Sequence, residues 1–477
     1  MTYKEFLKNA KKIGTTLSNK ESRNKPIAIF IDKSVACLES MFGVLYSGNF
    51  YTIIDTKSPR ERINLILNTL EPITIITDNK NIHKVKDLGI ESNICIYEEM
   101  INTQVDEDKL EYIRNKMIDT DPMYVLFTSG STGVPKGTVI SHKAVISYAN
   151  WVTKTFNITD KTIWGSQTPF YLSMSITDVF STIFSGATFY IIPKMFFSFP
   201  IKLLDFINEK KINTIYWVPS ALCIVANFKA LEEVKLPNLK KILFAGEVMP
   251  VKQLNMWIDK LPDAMFANLF GPTETTDICT YYIVDRKFEN TESLPIGHAC
   301  NNCDVMIVKE DGTEALNGEE GELCVRGSFL ALGYYNNPEK TASVFVQNPL
   351  NKNYSEIVYK TGDIVKYNEK GELIYLSRKD FQIKHMGYRI ELGEIENAAN
   401  NIEGVIICAC LYDSENSKIV LFYQGDELEE SDVLNEIKKK VPAYMCPNNI
   451  IKLPRIPYNA NGKIDRVNLK NMLRKEE

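Results

Sequence analysis

The stretch LFTSGSTGVPKG, residues 126–137, concentrates the residue types from which an anion site is built. An apolar run enters Thr128, Ser129, Gly130, Ser131, Thr132 and Gly133, and Lys136 follows. Hydroxyls donate from side chains, and glycines let backbone N–H groups come close, so this composition suits a loop that cradles a polyphosphate. The Walker spacing G-x-x-x-x-G-K-[ST] cannot be fitted to it. Read by composition alone, the same residues also describe a flexible Ser/Gly connector. Metal chemistry has less support: Cys300 and Cys303 form a CxxC, but no second pair or His-x-x-x-His completes a tetrahedral zinc site. The four histidines, His83, His142, His298 and His385, are scattered.

Such a loop needs a scaffold. With 477 residues and 44% hydrophobic content, the chain exceeds the roughly 250 to 300 residues at which one core stops growing. Two or three domains are expected. Short apolar runs at 26–31, 73–77, 124–128, 212–218 and 241–244 are rich in β-branched residues and separated by helix-length segments. They predict buried strands of mostly parallel sheets, hence an α/β class. From Asp304 the texture changes to alternating strands around Gly-containing polar turns, which predicts a β-rich subdomain over about 296–379. After Arg378, Lys379 and Asp380 it changes again. A helix near 394–401, strands at 405–411 and 418–423 and a helix at 429–440 predict a small α+β domain. The expected division is a large N-terminal domain of stacked, mostly parallel sheets with helices, 1–379, followed by a C-terminal domain, 380–477.

The balance of 55 Lys and Arg against 60 Asp and Glu, net charge −5, leaves no positive excess for a nucleic-acid backbone. The opening MTYKEFLKNAKKIG reads as an amphipathic helix with Phe6, Leu7 and Ala10 on one side, not as a signal peptide. The apolar stretch 187–201 is interrupted by Pro193, Lys194 and Pro200, short of the roughly 20 residues that span a bilayer. Ten cysteines are too dilute for a disulfide scaffold. A soluble, cytoplasmic protein without nucleic-acid or membrane partners is expected.

Several motifs resemble, in order, those of the adenylate-forming superfamily, closest to stand-alone nonribosomal peptide synthetase adenylation domains and D-alanine carrier-protein ligases. The loop at 126–137 is similar to its signature; YTIIDTKSPRER at 51–62, LFGPTET at 269–275, GELCVRG at 321–327 and YKTGD at 359–363 resemble others. RKDFQIKHMGYRIELGEIE at 378–396 and NGKIDR at 461–466 complete the series. The resemblance implies an acid-thiol ligase that uses ATP and Mg²⁺ to turn a small carboxylic acid into an acyl adenylate, then passes the acyl group to a thiol. By resemblance, Thr128, Ser129, Ser131, Thr132 and Lys136 lie in the pyrophosphate loop, Thr273 contacts the α-phosphate and Glu274 helps hold Mg²⁺. Phe270 would stack on adenine, Asp363 would accept the ribose hydroxyls, and Arg378 belongs to the nucleotide site. Lys463 would bridge carboxylate and α-phosphate from a mobile C-terminal domain hinged at Asp380. Few residues follow Asp465, and no serine has a Gly-Gly-x-Ser setting, so the expected acceptor is a phosphopantetheinylated carrier protein in trans, with coenzyme A as the alternative. An acyl-CoA ligase and a non-catalytic nucleotide-binding protein are the competing readings.

The same resemblance places the acid pocket at Ser173, Met174, Thr177, Tyr216, Leu243, Ala245, Leu269, Asp277 and Ile278. Ser173, in PFYLSMSITD at 169–178, stands where the family's α-ammonium-binding aspartate is expected. A neutral hydroxyl cannot compensate a buried ammonium. Asp277 is the one carboxylate in the set, able to hold a displaced amino group or accept from a phenol. It could equally be a solvated or helix-capping aspartate. The expected acid is a β-amino acid such as β-alanine, or a hydroxylated aryl acid. In the hinge region Met386 and His385 replace the commoner glycine and arginine.

Overall fold

The computed structural model describes residues 1–18, 22–89, 93–130, 133–425, 428–459 and 464–473. Strand Pro26–Phe30 is buried along its whole length, as a parallel-sheet strand flanked by helices must be. It lies fifth in a seven-stranded sheet ordered Gly333–Tyr334, Lys136–Ser141, Pro122–Thr128, Phe50–Ile53, Pro26–Phe30, Thr74–Thr77, Ile94–Ile96. A second seven-stranded sheet runs His298–Ala299, Thr280–Ile283, Met265–Phe270, Lys241–Phe244, Thr214–Trp217, Ile163–Ser166, Thr188–Ile191. Its inner strands are parallel, and only the last two in sequence turn antiparallel. One apolar core draws on both sheets, from Ile27 and Tyr51 to Trp164, Ile215 and Leu243.

The hairpin texture after Asp304 becomes a five-stranded sheet of Cys303–Val308, Gly321–Gly327, Phe345–Gln347, Ile357–Tyr367 and Leu373–Arg378, antiparallel at every pairing. The first helix, Tyr3–Ser18, buries Ala10, Ile13, Gly14 and Leu17. Leu7, expected on its inner face, is exposed. Leu7 shares the face of Ala10 and Gly14 but lies before the first buried residue of the helix, where the stripe has not yet reached the core.

The chain forms two compact units. The first comprises Met1–Ile53, Pro72–Leu126 and Thr138–Asp380; the second comprises Ile54–Glu71, Phe127–Gly137 and Phe381–Glu477. The sequence kept residues 54–71 and 127–137 with the larger body and began the small domain at residue 380. Within the second unit those two segments are tied to the C-terminal stretch by side-chain bonds described below. This unit holds helix Arg60–Leu70, the hairpin Gln382–His385 with Tyr388–Glu391, helix Leu392–Asn400, and the sheet Val405–Asp413, Lys418–Gly425, Asn449–Lys452. The hairpin turns on Met386 and Gly387, with φ of 51° and 79°. A two-residue turn with both φ positive is the primed type that strand twist favours. Met386 thus occupies a left-handed position, where a side chain costs about 1 to 2 kcal/mol and glycine is free of that strain.

Candidate active site

Three parallel strands carry residues expected in the acid pocket. Tyr216 pairs with Leu243, and Leu243 with Ala267, so alternation puts Tyr216, Leu243 and Leu269 on one face. Ala245 follows the second strand at its carboxyl end, the side on which open α/β sheets bind ligands. Met174, Leu243, Ala245, Leu269 and Ile278 are all buried members of the main core. Helix Ser175–Ser185 contributes Thr177, with Ser173 just before it.

The backbone that aims Asp277 is strained. Thr276 has φ 70° and ψ −51°, a conformation that a β-branched residue adopts only under constraint. Its Oγ1 donates to the Phe329 carbonyl at 2.8 Å, and its own carbonyl accepts from the Tyr124 hydroxyl at 3.4 Å. A Cβ on Gly271 would lie 2.5 Å from the Asp277 carbonyl oxygen, so this turn closes only over glycine.

Asp277 is buried, and its Oδ2 accepts three hydroxyls: Thr177 at 2.7 Å, Tyr148 at 3.0 Å and Tyr216 at 3.0 Å. Tyr148 and Thr177 also touch each other at 2.6 Å. Burial pushes the Asp277 carboxyl up to about 6, against the pull of Thr177, Tyr148, Tyr216 and Ser173. The two tyrosines stay protonated donors, because burial and the Asp277 charge raise both well above the phenol range. Among the described residues no cation pairs with Asp277. The solvated or helix-capping reading therefore does not hold: this is a buried anion supported by hydroxyls alone.

Of the residues expected at the nucleotide in the first unit, Asp363 and Arg378 are joined to each other and to Asp380. Strands Ile357–Tyr367 and Leu373–Arg378 set Asp363 directly across from Arg378. Arg378 Nη1 donates to Asp363 Oδ1 at 2.8 Å, while Nε and Nη2 grip Asp380 at 2.6 and 2.8 Å. Gly362 has φ 77°, and a Cβ there would meet Arg378 Nη2 at 2.8 Å. Its N–H donates to buried Glu322 at 3.0 Å, and the Thr361 hydroxyl donates to the Leu323 carbonyl at 2.9 Å. Thus the two motifs GELCVRG and YKTGD are halves of one cradle. Phe270 packs on Tyr375, centroids 5.8 Å apart. Thr273 Oγ1 lies 3.3 Å from the Ser173 hydroxyl, which brings together residues expected at the α-phosphate and at the acid. Glu274 is fully buried and accepts from the Tyr334 hydroxyl at 2.6 Å. No group of three metal-binding side chains exists among the described residues. A single carboxylate fits Mg²⁺, which keeps several waters and takes its remaining ligands from phosphates.

The loop residues belong to the second unit. Ser129 Oγ donates to the Arg389 carbonyl at 2.7 Å and accepts from Glu391 N–H at 3.1 Å. Gly130 N–H donates to Glu394 Oε2 at 3.3 Å, and the other Glu394 oxygen is ion-paired with buried Arg62. Thr128 Oγ1 is buried with no hydrogen-bond partner among the described residues. Lys136 opens strand Lys136–Ser141. Ser131, Thr132 and Lys463 lie outside the described residues.

Sequence reasoning missed Tyr148, Tyr334, Arg62 and Glu394. Helix His142–Thr155 buries Tyr148 at a core-facing position, and a buried phenol needs a partner, which was the available signal. Nothing local joined it to Asp277, 129 residues away.

A protein-family model described as AMP-binding enzyme matches residues 1–335, and the chain belongs to that family. It is 30% identical to tyrocidine synthase 1 of Brevibacillus parabrevis over 98% of this chain, spanning 42% of that protein. It is 29% identical to a D-alanine--D-alanyl carrier protein ligase of Bacillus cytotoxicus, covering 98% of this chain and 94% of that one. The Vibrio cholerae adenylation domain AlmE, solved with glycyl-adenosine-5'-phosphate, shares the fold with TM-score 0.85 at 23% identity over 100% of this chain and 93% of its own.

Proposed function

We propose that this protein activates a small carboxylic acid with ATP and transfers the acyl group to the phosphopantetheine thiol of a carrier protein in trans. A carboxylate oxygen attacks the α-phosphorus, the bond to the bridging oxygen breaks, and pyrophosphate departs with the electron pair. The carrier thiolate then attacks the acyl carbon, forming the thioester and releasing AMP. The first step brings two anions together, so fixed donors and cations must offset the charge.

Thr128, Ser129, Ser131, Thr132 and Lys136 would hold the pyrophosphate portion and Thr273 the α-phosphate. Phe270 would carry adenine, with Asp363 and Arg378 at the ribose. Glu274 would hold Mg²⁺, which offsets charge on the triphosphate when bound. Lys463 would bridge carboxylate and α-phosphate, and Asp380 would act as the hinge between the two half-reactions. Family membership, together with the joined Asp363, Arg378 and Asp380, supports this reading. Relatives that include D-alanine--D-alanyl carrier protein ligases support a carrier protein as acceptor.

For the acid, the observation that carries the reading is the buried Asp277 without a cation, beside a Ser173 that cannot supply one. The acid is one without a conventionally placed α-ammonium: a β-amino acid such as β-alanine, or a hydroxylated aryl acid. A hydroxylamine-trapping screen with ATP across amino, aryl and fatty acids tests it, and thioester formation on coenzyme A versus carrier protein sorts the acceptor. Turnover confined to common α-amino acids would refute the substrate assignment.

A further inference from the structure

A second buried carboxylate, Asp178, sits one residue beyond Thr177 on helix Ser175–Ser185. The Ser166 hydroxyl and the Val179 backbone favour its charged form, and its Oδ1 is buried with no hydrogen-bond partner among the described residues. Ser166 ends strand Ile163–Ser166 of the second sheet. Its Oγ also takes a bond from Lys33 Nζ at 2.9 Å, and its carbonyl takes another at 3.1 Å. Lys33 follows strand Pro26–Phe30 of the first sheet and lies over the Phe170 ring, 5.2 Å from its centroid. Lys33 thus bonds to Ser166 beside Asp178, which brings both large sheets to the helix that carries Thr177.

Burial pushes Lys33 down and Asp178 up, and each charge opposes the shift of the other. Asp178 and Asp277 also feel one another, and Tyr216 feels both. Two buried carboxylates sharing one wall repel, and each favours its neutral form unless a cation is assigned to it. Lys33 is close to Asp178 and is not bonded to Asp277. With that assignment the layer keeps a single uncompensated negative charge.

We propose that Lys33 is a positioning and specificity-determining residue of the acid pocket: through Ser166 it holds Asp178 as an internal ion partner, fixes Ser173 and Thr177 beside Asp277, and leaves Asp277 to take a substrate ammonium. This rests on the adenylation reading above and narrows it, because a layer of net charge −1 is complemented by an amino acid and not by a neutral phenol.

The test measures acid-dependent and ATP-dependent pyrophosphate exchange for the wild type, Lys33→Met, Lys33→Arg, Ser166→Ala and the double variant Lys33→Met/Asp178→Leu, using β-alanine with its des-amino analogue propanoate and 2,3-dihydroxybenzoate as probes. Expected are at least a tenfold rise in the KM for β-alanine in Lys33→Met, a KM for ATP within twofold of wild type, partial rescue by arginine and a smaller rise in Ser166→Ala. The double variant removes both charges, so it keeps the preference for amine over des-amino acid even where Lys33→Met folds poorly. Parallel rises in both KM values, unchanged acid KM, or wild-type preference for the aryl acid over β-alanine each overturn the role. Exchange with other acids but with none of these probes overturns the amine assignment alone. No exchange with any acid overturns the adenylation reading and this role with it.

Discussion

Two buried carboxylates, one in each unit, are treated in opposite ways. Glu394 in the second unit has Arg62 on one oxygen and the Gly130 N–H on the other. Asp277 in the first unit has hydroxyls on one oxygen and no cation among the described residues. Both are raised above the usual range by burial. The first is compensated within the fold, so its role is to join helix Arg60–Leu70, the glycine-rich segment and the C-terminal stretch. The second is stable as an anion only in part, which is the state expected of a group awaiting a charged ligand. A buried charge that pairs internally holds structure together, whereas one left open is a candidate for a ligand.

The comparison is broken most strongly by removing one partner of the closed pair. Arg62→Met should cost about 3 to 5 kcal/mol, because Glu394 is left buried and unpaired. Chemical denaturation should show that loss, and Arg62→Met/Glu394→Met should recover most of it. A single variant as stable as wild type would mean that the pair contributes nothing.

Asp277→Asn should behave in the opposite sense. Ligand-free stability should hold or rise, while kcat/KM for an amino-bearing acid should fall by about 2 to 5 kcal/mol worth of recognition, 30-fold or more. Equal activity toward that acid in the variant and wild type would remove Asp277 from the site.

The pH dependence sharpens the contrast further. Asp277 binds its proton more tightly folded, at about 6 against an ordinary 3.8. The ligand-free protein therefore loses stability as pH rises through that window, by at most about 3 kcal/mol. Activation of an amino acid runs the other way and should fall about tenfold per pH unit below roughly 6, as Asp277 takes up its proton. Exchange rates measured from pH 5 to 8 would show it, and a flat profile that Asp277→Asn leaves unchanged would disprove it.

The smallest effect belongs to a single hydroxyl. Tyr216→Phe removes one of three donors to Oδ2 and should lower kcat/KM for the acid about fivefold, roughly 1 kcal/mol. It should also move the activity midpoint to higher pH, since a bond favouring the charged form is lost. A midpoint that stays in place would place the Tyr216 hydroxyl outside the electrostatics of the pocket.

Much of the α/β scaffold was legible because its signals are local. Short β-branched runs gave the strands of both parallel sheets, and the small elements after residue 390 fell within a few residues of helix Leu392–Asn400, strands Val405–Asp413 and Lys418–Gly425, and helix Glu430–Lys440. The cradle motifs were visible as motifs, but their mutual bonding was not, since Gly362 meets Glu322 across 40 residues.

By itself the sequence determined the family and the order of the sheets' building blocks, and it singled out Asp277 as the odd charge of the expected pocket, because motif spacing and apolar periodicity are properties of neighbouring residues. Only the tertiary structure decided that Tyr148, Thr177 and Tyr216 converge on that carboxylate, that Lys33 reaches Ser166 from another sheet, and that Glu394 is answered by Arg62 across 332 positions. Charge compensation in a buried layer depends on distances through space, and no local pattern in the chain encodes them.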